Sequence, residues 1–267
     1  MSQVLKIKDL HQTFEQGTVN ENRVLRGINL ELVAGDFVTI IGSNGAGKST
    51  LLNSIAGTLP IKQGQIILNG NDITKLPVTR RAEKISRVFQ DPKMGTAVRL
   101  TVEENLALAM KRGQKRGFRA GVKKKDRDFF KSQLAQLNLN LENRLGTEIG
   151  LLSGGQRQAI TLLMATLRRP DLILLDEHTA ALDPKTSITV MQLTEKLINE
   201  QNLTAFMVTH NMEDAIRYGN RLIMLHQGRV ALDLTEKEKK SLTVAKLMEM
   251  FQKQVGTEVK DDAMLLA

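Results

Sequence analysis

One stretch of the chain has the residue types and spacing needed to bind phosphate, Gly42-Ser43-Asn44-Gly45-Ala46-Gly47-Lys48-Ser49-Thr50. It fits the pattern G-x-x-x-x-G-K-[ST] without a mismatch. The glycines let successive backbone N–H groups point into one concavity, and a helix starting near Lys48 adds its positive end. Lys48 would bind the β- and γ-phosphates, and the Ser49 hydroxyl is a hard oxygen ligand for Mg²⁺. The pattern therefore predicts a binding site for a nucleoside triphosphate.

An acidic pair follows a short apolar run in Leu172-Ile173-Leu174-Leu175-Asp176-Glu177. The run predicts a buried strand, and ligands bind at the carboxyl edge of open α/β sheets. Asp176 would hold Mg²⁺, partly through water, and Glu177 would polarise the attacking water as general base. The alternative is an exposed acidic pair that caps a helix beginning at Pro184, which the phosphate loop upstream disfavours.

A third segment, Leu152-Ser153-Gly154-Gly155-Gln156, combines a hydroxyl, two glycines that allow close backbone approach, and a helix start. In this order and spacing the three segments resemble the ATPase module of ATP-binding cassette (ABC) proteins, over residues 4–251. The resemblance implies that ATP and Mg²⁺ are bound, and that the third segment is the signature loop. In the family this loop caps ATP held by a second subunit, so one copy would not complete its own active site.

The resemblance also assigns single residues. Gln90 matches the Q-loop residue that senses Mg²⁺ and water and links to the membrane partner, and Asp183 matches the D-loop at the dimer interface. His210 matches the switch histidine on the γ-phosphate. Phe14 matches an aromatic that stacks on adenine, with a core residue as the alternative. The predicted catalytic residues are Glu177, His210, Gln90 and Lys48, and the predicted Mg²⁺ ligands are Ser49, Gln90 and Asp176. The predicted ATP-binding residues of one copy are Phe14, Gly42, Ser43, Asn44, Gly45, Ala46, Gly47, Lys48, Ser49, Thr50 and Asp176. The second copy would contribute Ser153, Gly154, Gly155, Gln156 and Asp183 to the same ATP.

Three segments depart from the family pattern. His178 stands where the family usually has proline, and residues 159–164 (Ala-Ile-Thr-Leu-Leu-Met) are apolar at two usually basic positions. Residues 147–150 partly resemble a loop of exporters, but Leu151 replaces its final glutamate. The run from Glu177 to Pro184 resembles a bacterial subgroup linked to uptake systems with a binding lipoprotein and a separate permease, for which aromatic amino acids have been suggested as cargo.

Composition favours an anionic partner. The 267 residues include 38 basic and 29 acidic side chains, a formal net charge of +9. Nucleic acid is disfavoured, because the chain has no Trp, one Tyr and eight Phe to stack on bases. A solvated basic face without a partner is the alternative. Charged residues near the start argue against a signal peptide, no apolar run approaches the length of a membrane span, and there is no cysteine, so we expect a cytosolic chain.

Apolar periodicity predicts the elements that position these residues. Strands are expected at residues 4–10, 24–33, 36–41, 65–68, 172–175, 204–208 and 222–225, with tight turns at Asn69-Gly70 and Gln227-Gly228. Helices are expected at residues 48–56, 102–111, 129–137, 153–167, 184–200 and 212–218. The predicted fold class is α/β: a P-loop (RecA-like) core with a parallel sheet, an antiparallel β subdomain and an α-helical subdomain. Residues 1–89 and 169–230 would form the core with its antiparallel part, residues 90–168 the helical subdomain, and residues 231–267 a helical tail that frays from Val255.

A basic segment within residues 111–125 predicts a loop near the permease and the anionic inner leaflet of the membrane. Its cations are Lys111, Arg112, Lys115, Arg116, Arg119, Lys123, Lys124 and Lys125.

The leading hypothesis is the ATP-hydrolysing subunit of a bacterial solute importer, a homodimer or paired subunit on the cytoplasmic face of the membrane. It would work with a separate transmembrane permease and an extracytoplasmic solute-binding protein. The alternatives are an exporter or lipid-releasing ATPase, and a soluble ABC ATPase outside transport. A binding-protein gene beside this one would favour import. The residues do not identify the cargo.

Overall fold

The computed structural model describes residues 2–114 and 121–255. Its strands are β1 (Gln3–Phe14), β2 (Asn22–Val33), β3 (Phe37–Ile41), β4 (Gln63–Leu68), β5 (Asn71–Asp72), β6 (Ile85–Val88), β7 (Leu172–Asp176), β8 (Ala205–Val208), β9 (Arg221–His226) and β10 (Arg229–Leu234). Its helices are α1 (Lys48–Ala56), α2 (Val78–Arg81), α3 (Val102–Met110), α4 (Lys124–Ala135), α5 (Gly154–Thr166), α6 (Pro184–Glu200), α7 (Met212–Arg217), α8 (Glu236–Lys239) and α9 (Val244–Val255). These elements form two compact units, and the second unit is Ala82–Gln201.

The first unit contains two sheets. Strands β2, β1, β4 and β5 form an antiparallel sheet in that order, and β10, β9, β3 and β8 follow one another in the second sheet. In the second sheet β3 runs parallel to both β8 and β9, and all five of its residues are buried. This combination of an antiparallel sheet with a parallel one is the arrangement that the sequence predicts.

Two predicted tight turns are confirmed in this unit. Asn69 and Gly70 have φ of 47° and 75°, and Gln227 and Gly228 have φ of 44° and 76°. Two consecutive positive φ angles are typical of the two-residue turn that matches the twist of a hairpin. The turns join β4 to β5 and β9 to β10.

The chain after β10 packs back onto the parallel strands. Leu247 and Phe251 of α9 lie in one apolar cluster with Met212 and Met224, and the Phe251 ring meets the His226 ring edge-on at 5.3 Å. Helices α8 and α9 lie within the predicted tail of residues 231–267, but its first residues, 231–234, belong to β10. Fraying is predicted from Val255, which ends α9, and residues 256–267 lie outside the described residues.

The second unit is mainly helical. Apolar residues of α3, α4, α5 and α6 share one core, with Leu106, Phe130, Leu134, Ile160 and Leu163 nearly inaccessible to solvent. Two parallel strands, β6 and β7, complete the unit. Strand β6 is absent from the predicted elements because its short run is interrupted by Ser86 and Arg87.

Helix α4 begins five residues earlier than predicted, at Lys124 rather than residue 129. The Asp126 carboxylate accepts a hydrogen bond from the Lys123 backbone N–H at 3.0 Å. This contact satisfies a donor at the start of the helix, which apolar spacing does not reveal.

Candidate functional site

The phosphate loop connects the end of β3 to the start of α1. The Ala46 N–H donates to the Ser43 carbonyl at 3.1 Å, so the loop turns back on itself. Gly47 adopts a φ of +100°, and a Cβ there would lie 2.7 Å from Leu25 Cδ2. A side chain at this position would therefore be strained and would collide, which explains why the loop requires glycine before Lys48.

The Lys48 side chain spans the loop. Its Nζ donates to the Gly42 carbonyl at 2.5 Å and to the Ser43 carbonyl at 3.0 Å, and the residue is only 7% exposed. Asn44, Gly45 and Ser49 are exposed. The loop thus holds one fixed ammonium group at the first turn of a helix, where backbone N–H groups lack partners within the helix and favour anions.

His210 lies at the same edge of the parallel sheet as the phosphate loop. Strands β3 and β8 run side by side with Ile40 opposite Val208, and the Thr209 N–H donates to the Ile40 carbonyl at 3.1 Å. His210 is the next residue and is exposed. Phe14, at the end of β1 in this unit, is 37% exposed and so is not a core residue.

Asp176 ends β7 in the second unit, after four fully buried residues. Its Oδ2 lies 2.6 Å from Nη2 of Arg87, and both side chains are largely buried. Arg87 is opposite Leu174 in the register of the two strands, so it shares a face with Leu174 and Asp176. Apolar periodicity does not predict this ion pair, because it does not predict β6 and therefore gives no register between β6 and β7.

Glu177 follows directly and has a φ of +44°, a left-handed conformation that is strained for a residue with a side chain. The next residue, His178, is 2% exposed, and burial lowers the pKa of its imidazole to about 4. His178 Nε2 lies 2.9 Å from Thr194 Oγ1, which donates its own proton to the Val190 carbonyl at 2.8 Å. His178, which stands where the family usually has proline, is therefore joined to α6 by a buried hydrogen bond.

The signature segment forms the start of α5. Ser153 is the N-cap: its Oγ accepts from the Gln156 N–H, and the Gln156 Oε1 accepts from the Ser153 N–H, both at 3.3 Å. Ser153 is exposed. Gly155 is buried against α6, where an added Cβ would lie 2.1 Å from Thr186 Cγ2. The helix start predicted from the sequence is present, and Gly155 serves the packing of α5 on α6.

Asp183 has a structural role at the start of α6. Its Oδ1 accepts from the Thr186 N–H at 3.0 Å, and Pro184 occupies the first turn. Hydrogen bonding by the Thr186 side chain, and then by its backbone N–H, lowers the pKa of the Asp183 carboxyl. The Asp-Pro pair is the signal that could have predicted this cap.

Gln90, the predicted Q-loop residue, is exposed after β6. Just before it, the Phe89 carbonyl accepts a hydrogen bond from Nε2 of Gln158, a fully buried residue of α5, at 3.3 Å. The backbone next to Gln90 is therefore tied to the helix that carries the signature segment.

The basic segment is only partly described. Arg112 is partly buried and donates to the Ala165 carbonyl at 3.2 Å and to the Arg168 carbonyl, so its guanidinium caps the end of α5. Burial lowers the pKa of Arg112. Lys123, Lys124 and Lys125 belong to the start of α4. Lys115, Arg116 and Arg119 lie outside the described residues.

The residues predicted to form the site are divided between the two units. The first unit contains Phe14, the phosphate loop and His210, and the second contains Gln90, Ser153 to Gln156, Asp176, Glu177 and Asp183.

Related sequences place the chain in a family. The family model described as ABC transporter matches residues 25–180. A tyrosine transport ATP-binding protein of Clostridioides difficile (strain R20291) is 45% identical over 249 residues, covering 93% of this chain and 99% of the relative. An aliphatic sulfonates import ATP-binding protein of Rhodopseudomonas palustris is 34% identical and covers 86% of this chain and 73% of the relative.

Solved structures of ATP-binding cassettes resemble this chain. A dimeric ATP-binding cassette in a post-hydrolysis state, bound to ADP and Pi, has a TM-score of 0.73 at 32% identity and covers 87% of this chain and 98% of that one. An ATP-binding cassette in its ADP conformation has a TM-score of 0.76 at 24% identity and covers 94% and 99%. The predicted α/β P-loop fold class is confirmed. The chain therefore belongs to the ABC transporter family and is one of its ATP-binding, ATP-hydrolysing domains.

Proposed function

We propose that this chain binds and hydrolyses ATP to energise solute uptake through a separate membrane permease. One observation carries the ATP part: Lys48 is held across a closed glycine loop at the first turn of α1, with His210 at the same sheet edge. Backbone N–H groups and one fixed ammonium are suited to the β- and γ-phosphates.

The donors available also fit Mg²⁺. The Ser49 hydroxyl is exposed at the first turn of α1, and hydroxyl, carboxylate and phosphate oxygens are the ligands that Mg²⁺ prefers. Ser49, Asp176 and Gln90 would hold the ion, partly through water. Bound there, Mg²⁺ would neutralise charge that develops on the phosphate oxygens.

Glu177 is the proposed general base. Its carboxylate would accept a proton from the attacking water, Gln90 would orient that water, and His210 would donate to the γ-phosphate. Lys48 would stabilise negative charge on the phosphates throughout the reaction. The adenine ring would stack on Phe14, which is exposed at the end of β1.

Two copies are proposed to act together. Ser153 is exposed at the start of α5, where the helix dipole favours an anion, and Gly154, which has no side chain, is partly exposed beside it. These residues, with Gln156 and Asp183, would contact ATP held by the partner. A dimeric cassette with bound ADP and Pi among the related structures supports the pairing of two copies.

The transport direction and cargo are drawn from relatives. The relative with 45% identity is named for tyrosine transport, and another is named for import of aliphatic sulfonates. In the part of the chain that the structure describes, no helix is long and apolar enough to span a bilayer. We propose an amino acid, with tyrosine the first to test, carried by a permease whose cytoplasmic face this chain binds and supplied by an extracytoplasmic solute-binding protein.

The Glu177→Gln variant tests the ATP mechanism. With ATP, it should run as a dimer in size-exclusion chromatography and lose nearly all turnover. Glu200→Gln, an exposed carboxylate at the end of α6, is the matched control and should behave as wild type. Turnover of Glu177→Gln at the wild-type rate would refute the assignment of the base.

The uptake proposal has its own test. The chain and its permease, reconstituted in proteoliposomes with the solute-binding protein, should accumulate labelled tyrosine only with ATP. Accumulation of an aliphatic sulfonate instead would reject the amino acid, and ATP-dependent extrusion would reject import.

We also propose that the basic start of α4 is attracted to the anionic inner leaflet of the membrane, which is tested separately. Neutralising Lys123, Lys124 and Lys125 should reduce co-sedimentation with anionic vesicles, since each cation near the surface adds about 1 kcal/mol. Unchanged binding would contradict this part of the proposal.

A further inference from the structure

The residue after the proposed base is held by a buried hydrogen bond that the family pattern does not contain. His178 is 2% exposed and Thr194 is fully buried, and their side chains meet at 2.9 Å between β7 and the middle of α6. Both residues belong to the second unit.

The direction of this hydrogen bond follows from the neighbouring one. The Thr194 hydroxyl has a single proton, which it donates to the Val190 carbonyl at 2.8 Å. Oγ1 can therefore only accept from His178, so the imidazole carries its proton on Nε2. The contact is a donor–acceptor pair with a fixed tautomer, within a buried environment that makes its loss costly.

The anchor bears directly on the backbone of Glu177. Glu177 has a φ of +44°, a left-handed conformation that is uncommon for glutamate and is stabilised by contacts around it. Its carbonyl accepts from the Ala180 N–H at 3.0 Å, so the strained residue begins a turn whose second residue is His178. A proline at 178 would restrict the preceding residue through its ring. That restriction favours an extended φ of about −120°, not the +44° of Glu177. Histidine does not impose it, and the His178 side chain instead ties residue 178 to α6.

We propose that His178, through its Nε2–H bond to Thr194, is a positioning residue that holds Glu177 in the conformation needed to accept the proton from water. This inference rests on the proposed role of Glu177. It predicts an effect on turnover and little effect on nucleotide binding, because neither side chain belongs to the phosphate loop.

Thr194→Val removes the acceptor while keeping the shape of the side chain. We expect kcat for ATP hydrolysis to fall roughly 10- to 100-fold, the size of effect that small misplacements of a catalytic group produce, with the KM for ATP unchanged. Thr189→Val is the matched control: Thr189 lies on the same helix and also donates to a carbonyl four residues back, at 3.1 Å, but is exposed. It should leave kcat unchanged.

Two further variants separate positioning from general damage. Thr194→Ser keeps the hydroxyl, and His178→Gln places an amide N–H near the position of Nε2, so both should retain more activity than Thr194→Val and His178→Ala. In the Glu177→Gln background, Thr194→Val should cause no further loss, because its effect passes through Glu177.

The outcomes are distinct. Wild-type kcat in Thr194→Val would overturn the positioning role, and so would an equal loss in Thr194→Ser or a further loss in the Glu177→Gln background. If Glu177→Gln itself turns over at the wild-type rate, the proposed function fails at the base, irrespective of His178.

Discussion

Replacing Gly155 by alanine should destabilise the second unit, although the same change usually stabilises a helix. Gly→Ala within a helix gains about 1 kcal/mol. At Gly155 the new Cβ would lie 2.1 Å from Thr186 Cγ2, more than an ångström closer than an ordinary contact of 3.4 Å. Overpacking of this kind costs about 1–3 kcal/mol. We therefore expect a net loss on the order of 1 kcal/mol.

Two variants make this prediction specific. Gly154→Ala is the matched control, because its Cβ would meet only Leu182 Cδ2, at 3.4 Å, and should be neutral or slightly stabilising. Thr186→Ser removes the methyl group that collides and keeps the hydroxyl. In that background Gly155→Ala should become stabilising by about 0.5–1 kcal/mol.

The free energy of unfolding is measured by urea denaturation followed by far-UV circular dichroism, since the chain has no Trp and one Tyr. Hydrogen exchange of peptides from α5 and α6 reports on the second unit alone. A stabilising Gly155→Ala in the wild-type background would refute the reasoning, and so would identical effects of Gly155→Ala in the wild-type and Thr186→Ser backgrounds.

Two other predictions concern buried cations. Arg87→Met removes the partner of the Asp176 carboxylate in its 2.6 Å ion pair. On the proposed role of Asp176, this should lower the Mg²⁺ concentration for half-maximal ATPase activity up to about tenfold. An unchanged or raised Mg²⁺ requirement would contradict competition between Arg87 and Mg²⁺ for Asp176. Lys239→Met leaves the Tyr218 and Gly219 carbonyls without the donor that now lies at 2.5 and 3.1 Å, and should cost about 1–3 kcal/mol, whereas exposed Lys240→Met should cost little. Burial lowers the pKa of Lys239 from 10.5 to about 8, so the folded chain releases this proton before the unfolded chain does. The charged form is the one that burial penalises, so the unfolding free energy of wild type relative to Lys239→Met should rise between about pH 8 and about pH 10, and a flat or falling difference would reject this sign.

The phosphate loop and its helix could be predicted from sequence because their information is local. The glycine pattern is contiguous, and α1 runs from Lys48 to Ala56 as the apolar spacing indicates. The paired positive φ angles at Asn69-Gly70 follow equally from two adjacent residues.

The side-chain contacts of Asp176 and His178 in the second unit join residues that are far apart in the sequence. Arg87 and Asp176 lie 89 positions apart, and their ion pair depends on the register of β6 against β7. His178 marks itself as unusual by replacing a proline, but nothing in its neighbours indicates that Thr194 accepts its proton. Long-range packing decides both contacts, and periodicity does not record it.

The hydroxyl group of Ser153 can both accept and donate a hydrogen bond, and the helix cap uses only its acceptor function. Its lone pair receives the Gln156 N–H, which leaves its own proton to be given to an approaching oxyanion. On the proposed role of Ser153, capping the helix and binding the partner's ATP therefore use opposite polarities of one hydroxyl group. Aspartate caps a helix as well as serine does, but it places a negative charge where serine has a proton donor. On the same proposal, exchanging serine for aspartate at this position would leave a folded helix that repels the phosphate.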